Sequence, residues 1–379
     1  MAPWEDVRDR LNRQLKGWKA YFGLGARRRH TRRPPPGGLP RPASYDECVT
    51  ESRRRIPAWL PQVLGYSLSA GCLIWVLRGY PLGELGPSLR SLDYRWVALA
   101  VAADFAVYAT HGWRWTTLLV PVARVSFWRT VQSIYIGLFA NEVLPLRTGE
   151  VIRCYLLAHW NDLRTPLTLA SAAVERTIDG VWIVAAFLVT TAFVPNIPRD
   201  LIFFVRLLAG LLLLCAGALF WIVVRKHHAH AGLSEGRWSG ELRHVVEGIH
   251  LMGNPRTLAL TVAISLLYFA LEVLFAFALM RSYGLDLSFW VAGGVLTILR
   301  LSTVVPNAPG NLGVVNFACV VALGLFEVEK TDAKTFSIIY SVATTMPHLI
   351  GGAVATALTG LNIGELRDRA RQGAKRAGE

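Results

Sequence analysis

The sequence predicts an all-α polytopic integral membrane protein, with about eight transmembrane helices and one or two re-entrant segments. Hydrophobic residues make up 53% of the 379-residue chain and charged residues only 17%, whereas about a quarter of the residues in average soluble proteins are charged. Several apolar runs approach or exceed the roughly 20 residues that cross a bilayer as a helix. Most of the basic surplus lies outside these runs, as in the cytoplasmic loops of membrane proteins.

The net charge of +14 is concentrated in three segments. Residues 1–59, 225–256 and 362–379 carry net charges of +8, +2 and +2. A basic surplus can indicate nucleic acid or an anionic membrane surface. Because the surplus here flanks apolar runs, it favours the membrane, and no nucleic-acid partner is expected for the main domain. Basic segments stay in the cytoplasm, so we expect a multi-pass protein of the cytoplasmic (inner) membrane with both termini cytoplasmic.

Nine apolar runs are candidate membrane segments, and together they define a transmembrane domain at residues 60–361. In chain order they are Leu60–Leu77, Trp96–Leu119, Phe127–Leu144, Ile178–Val194, Leu201–Val224, Thr257–Met280, Phe289–Val305, Leu312–Phe326 and Phe336–Leu361. Five widely scattered cysteines, an odd number, exclude a secreted disulfide scaffold.

The segments outside that domain are basic. Residues 1–26 predict an amphipathic helix, because apolar residues recur on one face with Arg and Lys between them. Part of it, residues 7–22, resembles a fragment of the maturase-specific region of group II intron reverse transcriptases and is interpreted as a fused remnant or the result of a misplaced start codon. Residues 27–59, rich in Arg, Pro and Gly, predict a disordered linker. Residues 362–379 form a basic cytoplasmic tail.

Charge placement predicts a hairpin at the segment Asn141–Arg153, called here the first motif. Two arginines precede or begin the run Phe127–Leu144, and two more precede the run Ile178–Val194. Both runs would therefore start on the cytoplasmic side, which a single crossing between them cannot satisfy. We expect the chain to enter the membrane, break near Pro145–Gly149 and return through Val151–Trp160. Such breaks are tolerated at membrane depth only against protein or a wet cavity.

A second interrupted segment, Pro306–Asn316, is called the second motif. It shares the pattern Pro-x-x-x-Gly-x-Val with the first motif, at Pro309/Gly313/Val315 and Pro145/Gly149/Val151. Paired Gly/Pro-interrupted apolar segments point to a transporter binding site. Helix N-termini there would aim N–H groups at an anion such as a phosphate headgroup. The alternative is two unrelated loops, because a three-position match arises easily by chance.

Four segments carry a family resemblance. Leu144–Leu157 resembles the "LPGxxGExxRxYLL" signature of the lysylphosphatidylglycerol synthase transmembrane-region family, also called flippase-like domain proteins. Ala173–Asp179 is similar to its "ERxxD" element, the second motif to its "PxPGGLGxxE" element, and Trp113–Trp115 to its early "RW" helix end. The resemblance covers roughly residues 60–361 in the family's order.

Two positions depart from the family pattern. Asn316 stands where the family usually has Glu, and Ser341 lies near a position that is often Arg. If those groups pair in relatives, losing both together avoids an orphan buried charge. This hypothesis puts a charge-dependent role of the second motif in doubt for this chain.

Charged and polar residues within the apolar runs are the candidates for function, since a charge at the bilayer centre costs about 2.5–3.5 kcal/mol on insertion scales. Asp104, His111 and Arg114 belong to one polar helix, in which Asp104 and His111 share a face with Tyr108 and Trp115. The predicted substrate-binding or translocation residues are Asn141, Glu142, Pro145, Arg147, Gly149, Glu150, Arg153, Glu175, Arg176, Asp179, Arg300, Pro309, Gly310, Gly313 and Asn316.

These residues have two interpretations. They could line a polar cavity that passes a lipid headgroup, with arginines contacting phosphate, or they could pair and hold the helix bundle together. Arg114 could simply snorkel to the interface, and a structural pair is favoured for Glu272. Glu175 and Asp179 are expected at a helix start, where acids are favourable in any case.

The resemblance implies translocation of an anionic or polyprenyl-linked lipid, without catalytic residues, cofactor or metal. One alternative is a membrane-embedded lipid-modifying transferase, but the longest internal loop, 225–256, is too short for such a domain. Another is a non-catalytic accessory subunit, with envelope-synthesis enzymes as partners beside membrane lipids. Five histidines at positions 227–250 invite a metal site, but a cytoplasmic loop is favoured because neither acidic residues nor cysteines lie at suitable spacing. The lipid and the oligomeric state are not indicated.

Overall fold

The computed structural model describes residues 60–81, 83, 85–144, 148–193, 210, 214, 217, 254–303 and 308–360. All regular secondary structure in these ranges is helical. The helices are α1 (Leu60–Leu77), α2 (Leu85–Arg90), α3 (Tyr94–Leu119), α4 (Phe127–Val143), α5 (Gly149–Trp160), α6 (Thr165–Phe193), α7 (Pro255–Ser282), α8 (Phe289–Ser302), α9 (Val314–Gly324) and α10 (Lys330–Thr359), with a 3-10 turn at Pro309–Asn311 before α9.

Every predicted apolar run that falls in the described ranges contains a helix, although α6 and α10 begin well before their runs. By length and composition, α7 and α10 are the described helices able to cross a membrane. The number of spans therefore stays a prediction. Apart from positions 210, 214 and 217, the run Leu201–Val224 lies outside the described residues, as do segments 1–59 and 361–379 and the histidines at 227–250.

Side-chain caps explain several helix starts. Asp93 precedes α3 and accepts a hydrogen bond from the Arg95 backbone N–H at 3.0 Å. Asn254 does the same for Arg256 at 3.1 Å, with Pro255 as the first residue of α7. Ser288 accepts from Val291 N–H at the start of α8. Asp, Asn and Ser satisfy N–H groups that the first turn of a helix leaves unpaired.

The apolar core lies between α3, α7, α8, α9 and α10, with α1 at its edge. Its buried side chains include many alanines, among them Ala100 and Ala103 of α3 and Ala276 and Ala278 of α7. Alanine lets helix backbones approach closely, which is how helices pack in a membrane, where lipid tails are as apolar as leucine. The helix pair α3 and α7 makes the most extensive of these contacts.

The start of α6 corrects one prediction. The apolar run begins at Ile178, but the helix begins at Thr165, with Pro166 in its first turn. Proline is tolerated there because a first-turn residue has no helical partner for its N–H. Glu175 and Asp179 therefore lie in the middle of α6, and the interpretation of these acids as residues of a helix start is wrong.

The helices α4 and α5 form a hairpin at the first motif. Asn141 contacts Gly149, and Gly137, one turn earlier in α4, contacts Arg153, one turn later in α5. Contacts that recede along one helix while advancing along the other show that the two helices run antiparallel. The helix break thus lies where the sequence predicts it, between Val143 and Gly149.

Candidate functional site

The polar centre of the described bundle is Arg114 of α3, whose side chain is completely buried. Its guanidinium donates through Nε to Glu175 Oε1 at 3.2 Å and pairs with the carboxylate of Asp179, both on α6. It also lies 4.7 Å from the ring centre of Tyr268 on α7, in cation–π geometry. Arg114 therefore joins three helices, and snorkelling to an interface does not describe it.

Arg153 of α5 extends the same network. It donates to Glu150 Oε2 through Nε at 3.1 Å and to Glu175 Oε2 through Nη2 at 3.4 Å. Its Nη1 lies 2.9 Å from His111 Nε2. Because arginine can only donate, that imidazole nitrogen accepts the hydrogen bond. The guanidinium also stacks over Trp115 at 4.6 Å. The polar face of α3 and the first motif are thus connected through one buried arginine.

Arg176 of α6 closes the network at its exposed side. Its guanidinium contacts Glu150 Oε1 at 3.2 Å and Asp179 Oδ2 at 3.5 Å. About half of its side chain is exposed, at 47%, whereas that of Arg153 is buried at 3%. Three arginines and three carboxylates therefore form one network whose formal charges balance, and Arg176 is its most exposed arginine.

A small cavity of about 40 Å³ lies beside this network, between α6, α7 and α8. Arg176 and Arg300 line it together with Asp179, Tyr268 and Trp182. Arg300 pairs with Glu272 but keeps 34% of its side chain exposed. The indole N–H of Trp182 has no hydrogen-bond partner among the described residues. The cavity is therefore lined by two partly exposed cationic groups, Arg176 and Arg300.

Each of the two motifs places a glycine at a helix start. A Cβ at Gly149 would lie 1.8 Å from the Gly137 carbonyl oxygen, and one at Gly313 would lie 2.1 Å from the Ser69 carbonyl oxygen. Gly149 N–H donates to Asn141 Oδ1 at 2.8 Å, and Gly313 N–H donates to Asn316 Oδ1 at 3.0 Å. The N–H of Gly149, the first residue of α5, and the N–H of Gly313, which directly precedes α9, are therefore used within the protein. The expectation that such a group faces an anion is wrong for these two groups.

The second motif is neutral and held by its neighbours. Asn316 Nδ2 donates to the Ser337 carbonyl oxygen and to Ser341 Oγ, each at 2.9 Å. The two positions that depart from the family pattern thus contact each other. Ser69 of α1 accepts a hydrogen bond from the Ala308 N–H at 2.7 Å. Gly310, which follows Pro309 in the 3-10 turn, has a φ of 69°, a backbone conformation that favours glycine.

Glu142 lies apart from the arginine network and contacts α10. Its Oε1 is 3.0 Å from His348 Nδ1, and Thr345 donates to its Oε2 at 3.4 Å. Asp104 of α3 is buried, and its Oδ2 has no hydrogen-bond partner within the described ranges. Two predicted site residues, Pro145 and Arg147, lie outside the described residues.

Sequence reasoning missed several members of this site. His348, Tyr268 and Trp182 were not considered, because each lies in an apolar run without a recognised motif. A histidine within a predicted span is itself a signal, since ionisable residues in such runs usually have a partner or a function. For Tyr268 and Trp182 no comparable signal exists, since both residue types are common in apolar helices.

Comparisons with known proteins identify the family of this chain. The model of the family described as the lysylphosphatidylglycerol synthase TM region matches residues 62–352. This chain belongs to that family. The family is a transmembrane region, and both relatives described next are membrane proteins, so the chain is a membrane protein, and its described part is helical.

A UPF0104 membrane protein of Methanocaldococcus jannaschii is 24% identical over 234 residues, covering 60% of this chain and 96% of that protein. A UPF0104 membrane protein of Methanothermobacter thermautotrophicus is 23% identical over 294 residues, covering 71% of this chain and 84% of that protein. No solved structure matches the chain. The family resemblance seen in the four sequence segments is thereby confirmed.

Proposed function

We propose that this protein translocates an anionic lipid, a phospholipid or a polyprenyl-linked lipid, across the cytoplasmic membrane. The observation that carries the proposal is the cavity between α6, α7 and α8, which two partly exposed arginines, Arg176 and Arg300, line together. Guanidinium groups bind phosphate through paired, charge-assisted hydrogen bonds. Membership in a transmembrane-region family named for a lipid synthase supports a lipid ligand.

The network explains how a phosphate could enter without leaving an unpaired charge. Arg176 contacts Glu150 and Asp179, whose side chains are 35% and 14% exposed, so these ion pairs are only partly buried. A phosphate would replace one carboxylate at Arg176, and that carboxylate would turn towards water. Arg114 and Arg153 are buried and cannot exchange partners at comparable cost. We assign them to holding α3, α5 and α6 together, and Arg176 and Arg300 to binding.

The cavity must enlarge to admit a headgroup. About 40 Å³ is room for a few water molecules. Transport by alternating access requires such a closed state between an inward-open and an outward-open state. We assign the structure to this closed state, with about eight transmembrane helices, a re-entrant α4–α5 hairpin and both termini in the cytoplasm, supported by the distribution of basic segments. The activity is transport, not catalysis.

The test is lipid translocation by the full chain in proteoliposomes. Fluorescent phosphatidylglycerol, phosphatidylcholine and a fluorescent polyprenyl phosphate are compared, and the fraction in the outer leaflet is followed by chemical quenching. We expect an anionic lipid to move faster than phosphatidylcholine. The double variant Arg176→Gln/Arg300→Gln should slow this movement about tenfold or more, because two charge-assisted contacts of about 1.5–3 kcal/mol each are weakened.

The matched control is Arg256→Gln. Arg256 is exposed at the start of α7 and does not line the cavity. It should transport at the wild-type rate. The proposal is wrong if no lipid of the panel moves faster than in empty vesicles, or if the double variant transports as well as the control.

A further inference from the structure

We infer that Glu142, His348 and Tyr108 form a proton-binding relay that couples proton movement to opening of the bundle. The inference rests on the proposed transport function, and it concerns the energy source of that function. The relay links three helices through side chains alone. His348 Nδ1 lies 3.0 Å from Glu142 Oε1 on α4, and His348 Nε2 lies 2.6 Å from the Tyr108 hydroxyl on α3.

The relay sits where the two motifs meet. Glu142 belongs to the first motif, and its Oε2 lies 2.9 Å from the position that a Cβ on Gly310 of the second motif would occupy. Thr345 donates to the same oxygen. The side chains of Glu142 and His348 are 8% and 12% exposed, so neither is open to bulk water. A charge change on this pair is therefore felt by both motifs.

The relay also lies where α10 lacks a backbone hydrogen bond. Pro347, next to His348, lies within the helix and lacks the N–H that would bond one turn back. Gly351 and Gly352 follow one turn later and pack closely on α4, where an added Cβ would lie 2.6 Å from the Tyr135 ring and 2.3 Å from Phe139 Cβ. Helices bend at such proline and glycine positions. The titratable pair is thus placed beside a proline of α10 and next to the close contact between α10 and α4.

Proton uptake changes the charge of a buried pair. With neutral His348, Glu142 is an uncompensated carboxylate; adding one proton to the imidazole gives a neutral ion pair. An uncompensated charge in a low-dielectric interior is costly, so the protonation state biases the packing around it. No other reactant is consumed, because the proton enters from one aqueous phase and leaves to the other.

Further titratable and charged groups face the relay from the surrounding helices. Asp104, one turn before Tyr108 on α3, has an oxygen without a partner among the described residues, and it interacts electrostatically with His348 and Arg300. A buried carboxyl with a free oxygen is a second acceptor for the proton. Asp104 lies near Arg300, which lines the cavity between α6, α7 and α8. The others are Tyr135 on α4, Tyr268 on α7 and Arg300 on α8, whereas Tyr340 on α10 lies near Asp104 and Arg300.

The experiment measures transport and protonation separately. Lipid translocation by full-chain proteoliposomes is followed with and without a transmembrane pH gradient and with a protonophore. In parallel, solid-state NMR of the chain labelled with 15N-histidine is recorded between pH 5 and pH 9, and His348→Gln identifies the His348 signal.

A gradient should speed wild-type transport at least about fivefold, a typical coupling between sites. His348→Gln and Glu142→Gln should transport at one rate with or without the gradient. The histidine His159, on α5 outside the relay, provides the control His159→Gln, which should keep the gradient response.

The outcomes separate the two proposals. If the His348 signal does not change over this pH range, or changes identically in Glu142→Gln, the relay is refuted whatever the lipid does. If it titrates but no lipid moves at any pH, the transport proposal fails while the proton site stands. If lipid moves and the gradient has no effect on the wild type, the coupling is refuted.

Discussion

The two motifs share one backbone arrangement, a helix that starts at a closely packed glycine, but they differ in the side chains around it. In each, a glycine begins a helix against another helix backbone, and an asparagine side chain accepts the hydrogen bond of its N–H. Around the first motif the polar contacts include the ion pairs of Glu150, Arg153 and Arg176. Around the second motif they are neutral, between Asn316, Ser337 and Ser341. The shared glycines therefore serve geometry, and the two motifs differ in the charge of the side chains around them.

The largest expected effect concerns what the motifs share. Gly149→Ala and Gly313→Ala each place a Cβ within about 2 Å of a carbonyl oxygen, and Gly313 also has a φ of 87°. The backbones must separate, which should cost more than about 3 kcal/mol and reduce the yield of folded protein sharply. Gly324→Ala, at the end of α9 with open space around it, is the matched control and should be near neutral. Thermal unfolding in detergent compares the three. Tolerance of alanine at one motif alone would show that the likeness of the motifs is superficial.

The next largest effect on stability concerns the charge that distinguishes the first motif from the second. Glu175→Gln removes the charge that two buried arginines share, and it should destabilise the protein by about 3–5 kcal/mol, because breaking a buried ion pair leaves an uncompensated charge. Asn316→Ala removes neutral hydrogen bonds only and should cost about 1–3 kcal/mol. Denaturant unfolding of both variants measures the difference. Equal costs would mean that charge is not what separates the two motifs.

The sequence predicted the parts of this architecture that depend on local pattern. Apolar length located the helices, and proline with glycine located the break between Val143 and Gly149. The sequence-based prediction of a helix start was wrong where polar residues continue the helix, as at Thr165–Thr177, because hydropathy marks only the apolar part of a helix. It could group Glu150, Arg153, Glu175 and Arg176 by resemblance, but it could not sort them by exposure. Exposure depends on which helices pack together, and no local pattern encodes that.

A smaller effect on stability tests the neutral pair of Asn316 and Ser341. Asn316→Glu alone places a carboxyl beside Ser341, and we expect a cost of about 2–3 kcal/mol, limited because a buried carboxyl can take up a proton. Asn316→Glu/Ser341→Arg should recover most of that loss by forming the ion pair for which the family pattern has residues. A double-mutant cycle of unfolding free energies gives the coupling. A double variant no more stable than the sum of its single changes would show that this site does not accept the pair.

The smallest effect on stability should accompany a large effect on transport. Arg176 is 47% exposed, and its ion pairs with Glu150 and Asp179 are only partly buried, so Arg176→Gln should cost less than about 1 kcal/mol. The same change should slow anionic-lipid translocation about tenfold, because a partly exposed arginine is the group able to exchange a carboxylate for a phosphate. Arg153→Gln, buried in the same network, should instead lower both stability and transport. If Arg176→Gln destabilises the protein as much as Arg153→Gln does and transport falls only in proportion, the charges around the first motif hold the helices together and do not bind lipid.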